Sequence, residues 1–221
     1  LLIGWDAADW KLINPLVEEG MMPNIKALIE RGVMGNLATI YPMYSPMLWT
    51  SIATGKRAFK HGVHGFTEPD PASGGIRAIT NLSRSTRALW NIATLLGMKS
   101  NVVGWWPSHP AEPILGSMIS NHYHKATVQH GEPWPMAPAT VHPASLAENL
   151  ARLRVHPQDL DPGLLTLFLP KLSEIDQDKD QRVTQLAQTI AECTSMTNAA
   201  EALMQYEPWT IACVYLDSID H

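Results

Sequence analysis

Cysteine is scarce in this chain, and its scarcity excludes a cysteine-built metal centre. Only Cys193 and Cys213 occur in 221 residues, and they are isolated, without metal-ligand spacing, so both read as buried thiols. Basic residues are also few. Sixteen Lys and Arg against 21 Asp and Glu leave a net charge of −5, with no clustered cations to track a phosphate backbone, so no nucleic-acid polymer is expected as partner. No apolar stretch approaches the ~18–20 residues of a membrane-spanning helix. The glycine signatures of the common nucleotide sites are missing as well. Thr54-Gly55-Lys56 lacks the full Gly-x-x-x-x-Gly-Lys-Ser/Thr spacing, and no Gly-x-Gly-x-x-Gly follows a strand. There is no initiating Met and no signal segment, which leaves the compartment open.

What remains is ordinary for a globular α/β domain. A 45% hydrophobic and 17% charged chain of this length can bury a sizeable core. Strand-like and helix-like runs alternate. Leu1 to Trp5 reads as a strand, followed by a helix reaching about Glu19, with Pro15 inside it as a break or kink. Residues 22–32 read as a second helix, with Pro23 near its start and Gly32 at its end. Val33–Ile40 reads as a strand. Thr86–Leu96 reads as a helix whose inward face is Ala88, Leu89, Ile92, Leu95 and Leu96, and Asn101–Trp106 as a strand closed by Pro107. Gln181–Tyr206 is the longest helical pattern, and Trp209–Leu216 a buried strand. Such alternation predicts a mostly parallel sheet covered on both faces, an α/β/α sandwich. Residues 122–180, rich in His and Pro, break the rhythm and read as an insertion or cap on a single domain, or as a solvated excursion without a role.

Two short stretches carry the chemistry. Leu1-Leu2-Ile3-Gly4-Trp5-Asp6 is an apolar strand ended by a carboxylate, which delivers a hard oxygen ligand to a sheet edge. From local sequence alone Asp6 could equally cap the helix that follows, and Asp9 reads as an exposed first-turn carboxylate. The second stretch is Tyr44-Ser45-Pro46-Met47-Leu48-Trp49-Thr50-Ser51-Ile52-Ala53-Thr54-Gly55, followed by His61-Gly62-Val63-His64-Gly65. Ser45 reads as an N-cap with Pro46 first in the helix, where free N–H groups and the macrodipole favour an anion. A serine hydroxyl needs a base or a metal to become a nucleophile near neutral pH, and no histidine sits beside Ser45 in sequence, so a metal is the natural activator. Trp49 could wall a pocket beside Ser45, and the glycines around His61 and His64 argue for a loop there.

Asp6, Ser45-Pro46, the run Trp49 to Gly55 and His61-Gly62 together resemble the type I phosphodiesterase/nucleotide pyrophosphatase branch of the alkaline phosphatase superfamily. The resemblance runs from Leu1 to about Pro110 and resumes at Tyr215–His221. It implies that Asp6 and Ser45 share one divalent cation and that Ser45 is the nucleophile. It also implies that Asp220, five residues after Tyr215, helps bind a second cation. Zinc is the expected metal, with manganese or magnesium as alternatives. His61 and His64 are placed near the substrate or in a structural role, Asp217 in support, and His221 as a weak further candidate. The implied substrate is a small molecule with a phosphodiester, phosphoanhydride or phosphomonoester bond, hydrolysed through a phosphoserine. A phosphomutase of the same superfamily, or a non-catalytic binding domain, are the alternatives.

The departures from the family pattern are specific. The His expected after Asp220, and the later Asp-His pair and final His, do not occur, and Phe66 stands where the family often has Asn. The chain is therefore expected to be the N-terminal part of a longer catalytic domain. The sulfatase branch would resemble Cys/Ser-x-Pro-x-Arg at the nucleophile and a pair of Asp after strand one. Here Pro46 directly follows Ser45, and Ala7 follows Asp6.

Overall fold

The computed structural model describes residues 1–221 apart from Ala126, Thr127, Asp178 and His221. In chain order its regular elements are β1 (Leu2–Trp5), α1 (Trp10–Glu18), α2 (Pro23–Arg31), α3 (Ser45–Thr54), α4 (Ala58–His61), β2 (Thr67–Pro69) and β3 (Ile76–Ala78). There follow α5 (Leu89–Leu95), β4 (Ser100–Val103), β5 (Gly116–Ile119), β6 (Val141–His142), α6 (Ala147–Ala151), α7 (Pro162–Phe168), α8 (Arg182–Tyr206) and β7 (Ile211–Leu216). The main sheet has the order β1-β7-β4-β5-β6; the first four strands are parallel and β6 runs antiparallel to β5. β2 and β3 form a separate antiparallel pair. This mostly parallel sheet, flanked by helices, is the expected alkaline-phosphatase-like α/β architecture.

The period of two along the central strands sorts their side chains onto two faces. Val103, Ile119 and Val214 pack with Met196, Ala199, Ala200 and Leu203 of α8. Their neighbours Val102, Met118, Cys213 and Tyr215 face the other way, against Ala53 of α3, Trp90 of α5, and Trp105. Burial pushes the Cys213 thiol up to about 11, so it is an inert core thiol, as its isolation implied. Part of the 122–180 segment joins the first of these cores: Tyr123, Val141 and Leu150 are buried against α8, and the Tyr123 hydroxyl donates to Leu150 O at 2.6 Å.

Several local expectations are corrected. Residues 33–40 form no strand; Val33 and Leu37 are exposed, and the segment is held instead by Trp10 Nε1 donating to Gly35 O. Apolar composition suits a strand, but without a neighbour to complete its ladder it does not make one. The α5 stripe is turned outward. Leu89, Ile92, Leu95 and Leu96 are exposed, while Ala88, Trp90 and Ala93 are buried. The large indole of Trp90 sets the orientation, with its N–H donating to Glu112 at 2.8 Å. The strand expected to reach Trp106 ends at Val103, because Gly104 takes a positive φ of 68° and turns the chain. α1 continues through Pro15 to Glu18, and its cap is Asp9, whose carboxylate accepts from Lys11 N at 2.8 Å. Asp6 is therefore not that helix's cap.

Candidate functional site

In a parallel sheet all strands deliver their carboxyl ends to one edge, and Asp6 and Asp220 follow the paired strands β1 and β7 there. Asp6 follows β1, and its backbone N–H prolongs the ladder by donating to Leu216 O at 2.9 Å. Ala7 then adopts a left-handed φ of 57°, turning the chain away, and donates its N–H to Asp6 Oδ1 at 3.1 Å. The other carboxylate oxygen accepts from the Tyr215 hydroxyl at 2.8 Å. Tyr215 lies on β7 in register with Gly4. Its phenol is pushed far up, first by burial, then by the bond to Asp6 and by the negative charges of Asp6, Asp217 and Asp220. Of these carboxylates, Asp6 is the one bonded to the hydroxyl. Asp220 is exposed, in a turn closed by its N–H donating to Asp217 O at 2.9 Å.

Ser45 stands at the start of α3. Tyr44 is the N-cap in place of the expected Ser45, which is the first helical residue, with Pro46 after it. The Tyr44 ring meets Phe66 edge-on at 6.0 Å, and Phe66 meets Trp106 at 6.4 Å. Trp106 lies just beyond the carboxyl end of β4, so this aromatic row seats the start of α3 at that end of the sheet. One turn further on, Trp49 packs edge-to-face on Tyr215 at 4.7 Å, and its backbone oxygen accepts from Trp105 Nε1 at 3.1 Å. Ser45 is part-buried, and among the described residues its hydroxyl has no hydrogen-bond partner. It stands in the first turn of a ten-residue helix, where N–H groups are free and the dipole is positive. Trp49 does not wall a pocket beside Ser45. It lines a cleft of about 520 Å³ with Asp6, Leu48, Ile52, Lys56 and Arg57, and Ser45 is outside that wall.

Trp49 lies over Gly4 because Gly4 has no side chain. A Cβ there would come within 2.3 Å of the Trp49 ring. Gly4→Ala is therefore expected to push Trp49 off Tyr215 and lower stability by about 1–3 kcal/mol. Urea unfolding checks this, and an unchanged midpoint would show that α3 does not depend on this contact.

The two histidines of the His-Gly segment part company. His61 is fully buried at the end of α4, which Gly62 closes with a φ of 86°. Val63 N–H donates to its Nδ1 at 3.2 Å, so its proton sits on Nε2 and is donated to Ser51 Oγ at 2.9 Å. Burial, then the nearby His64 and Arg84, hold its pKa below the ordinary value, so the ring stays neutral. His61 ties the segment to α3 through Ser51, whereas His64 is exposed on the far side of Gly62.

Sequence reasoning missed the loops after β4 and β5. The Asn121 side-chain oxygen accepts from Ser108 N and His109 N, both at 3.0 Å, joining the two loops. It shares a small cavity with Asp217 and Tyr215. Nothing in the spacing marks these residues, which meet only because β4 and β5 are neighbours. Among the described residues, no group of three or more His, Cys, Asp or Glu side chains could hold a metal ion. His221, the weak candidate from sequence, lies outside the described residues.

The family model for type I phosphodiesterase / nucleotide pyrophosphatase matches residues 1–221. The chain belongs to that family. No curated protein matches it, and no solved structure does. Membership places the chain among hydrolases of small phosphorylated substrates in the alkaline phosphatase superfamily, a group generally dependent on metal. No helix among the described residues is long and apolar enough to cross a membrane.

Proposed function

We propose that Ser45 is the nucleophile of a phosphohydrolase and that Asp6, Ser45 and Asp220 supply oxygen ligands to divalent cations. What supports this reading is the unpartnered Ser45 hydroxyl in the first turn of α3, together with the Asp6 and Asp220 carboxylates that follow the paired parallel strands β1 and β7. These are hard oxygen donors, and among the described residues Asp6 Oδ1 has only the Ala7 N–H as partner, so the set fits a hard dication in kind. Bound there, the metal would supply Lewis-acid stabilisation of the negative charge that develops at the reacting centre.

The chain's own groups do the rest. Ser45 Oγ attacks phosphorus in line, forming the Ser–O–P bond as the bond to the leaving oxygen breaks, and the serine proton passes to solvent. Water then attacks the same phosphorus and returns the free hydroxyl. The free N–H groups at the start of α3 favour the phosphoryl oxygens, and Tyr215 fixes the Asp6 carboxylate by donating to it.

Two measurements test this. In the full-length gene product, Asp6→Asn and Asp220→Asn should each raise the cation concentration needed for half-maximal hydrolysis of bis-p-nitrophenyl phosphate by about tenfold or more. An unchanged metal dependence in both variants would remove them as ligands. Among the described residues of this chain the proposed ligands are oxygen donors without an imidazole, which is a poor set for zinc. Calorimetric titration with zinc and manganese should give binding weaker than micromolar, without turnover. Tight stoichiometric binding with turnover would mean that other groups, His64 among them, complete the site.

A further inference from the structure

The cleft toward the carboxyl end of α3 has a character that the proposed chemistry does not use. Its volume of about 520 Å³ lies within the ~300–1,000 Å³ of small-molecule sites. Leu37 and Ile40, from the segment after α2, line it together with Leu48 and Ile52 of α3. Leu37 is 89% exposed and Ile52 44%, so apolar surface along the cleft stands open to water. Residues 33–40 supply their part of the wall without regular structure. Among the described residues, the hydrogen bond that ties them down is the one from Trp10 Nε1 to Gly35 O.

The charges of the cleft are unbalanced. Gly55 closes α3 with a left-handed φ of 65°, and the next two residues, Lys56 and Arg57, also line the cleft. Both are exposed, and among the described residues neither is paired with a carboxylate. The remaining charged side chain on the wall is Asp6, which is already held by the Tyr215 hydroxyl and the Ala7 N–H. Both cations keep their full charge near neutral pH. An apolar wall flanked by cations without a counter-ion is complementary to a molecule with a hydrocarbon body and one anionic head.

We infer that this cleft binds a small aliphatic carboxylate, its head on Lys56 and Arg57 and its hydrocarbon body against Leu37, Ile40, Leu48 and Ile52. Asp6 repels the head, which fixes the orientation: the carboxylate lies at the end of α3, away from Asp6. Ser45 is outside the wall of the cleft and the ligand carries no phosphoryl group, so this inference does not rest on the phosphohydrolase reading. Occupancy takes the exposed Leu37 and Ile52 out of water, and that burial supplies the affinity common to any ligand with such a body. The two cations supply the preference for a negative head.

The test is calorimetric titration of the full-length gene product, at neutral pH and fixed ionic strength, with octanoate, octanol and octyltrimethylammonium. These ligands share a similar hydrocarbon body and differ in the charge of the head. Octanoate should bind saturably at one site per chain, about tenfold more tightly than octanol, and octyltrimethylammonium more weakly than either. Replacing both cations, Lys56→Ala with Arg57→Ala, changes exposed side chains and does not endanger folding. It should weaken octanoate by about tenfold, the size of one charge-assisted hydrogen bond, and leave octanol unchanged. Lys60→Ala, which removes a nearby charge that does not line the cleft, should leave all three unchanged. Ile52→Gln should weaken octanoate and octanol alike, because it acts on the shared body. Equal affinity for the three heads, binding that does not saturate, or octanoate binding indifferent to the loss of both cations would each overturn the site. Absence of binding by all three, as when another part of the gene product occupies the cleft, would overturn it as well.

Discussion

Ser45→Ala in the full-length gene product is expected to fold normally and to lose the chemical step by several orders of magnitude. The covalent route disappears with the hydroxyl, whereas a change in a positioning residue only weakens it. Folding should survive because the Ser45 hydroxyl makes no hydrogen bond among the described residues and the helix is capped at Tyr44. Ser45→Thr should retain measurable turnover, since the first helical position accepts a second hydroxyl-bearing residue and the family resemblance admits either. Steady-state kinetics with bis-p-nitrophenyl phosphate, beside a thermal melt, separates the two effects. Near-normal turnover in Ser45→Ala would take Ser45 out of the mechanism.

The largest effect on stability is expected at Glu112, away from the proposed chemistry. One of its carboxylate oxygens accepts from Arg84 Nη2 at 2.5 Å and from Trp90 Nε1 at 2.8 Å, and the other accepts from Asn91 Nδ2 at 2.7 Å. The side chains of Arg84 and Glu112 are only 7% and 14% exposed. Glu112→Ala would leave the guanidinium with its bonds to Thr86 O, Asn91 and Asn81 but without its counter-charge, and would orphan the indole N–H. A buried pair broken from one side costs about 3–5 kcal/mol. Denaturant unfolding should show that loss, with a smaller one for Glu112→Gln, which keeps the acceptor oxygen and drops the charge. A loss below about 1 kcal/mol would mean that the ion pair is screened by solvent.

The architecture was legible wherever the pattern and the burial agreed. β7 is a run of apolar residues with both faces covered, and α8 is a long pattern that packs its small residues Ala199 and Ala200 onto the sheet. Residues 33–40 have the composition of a strand without a partner for its ladder, and composition cannot report a missing partner. α5 failed for a different reason. Its leucines and isoleucine make the more regular stripe, but Trp90 has the larger area and a hydrogen-bonding N–H, and it took the inward position.

The site was legible to the extent that it is made of strand ends and helix starts. An apolar run ended by Asp6, and a Ser-Pro opening a helix, name their own positions, and parallel pairing of β1 with β7 carries Asp6 and Asp220 to one edge. The supporting groups were not legible. Tyr215 served only as a spacing mark, yet its hydroxyl holds Asp6. His61 read as a loop residue, yet it is sealed between Ser51 and the Val63 backbone. The stacked His109 and His122 come from loops after adjacent strands, and no local period connects them.

The most direct test of the central claim is to trap the covalent intermediate. The full-length gene product is mixed with a divalent cation and bis-p-nitrophenyl phosphate, quenched in acid within the first turnovers, and digested for peptide mass mapping. The account predicts a p-nitrophenyl phosphoryl ester on Ser45 of the peptide that contains Pro46 and Trp49, with one p-nitrophenolate released per adduct, or the bare phosphoryl group left after a second cleavage, with two released per adduct. An adduct on any other residue, or an unmodified Ser45 in an enzyme caught turning over, would contradict it.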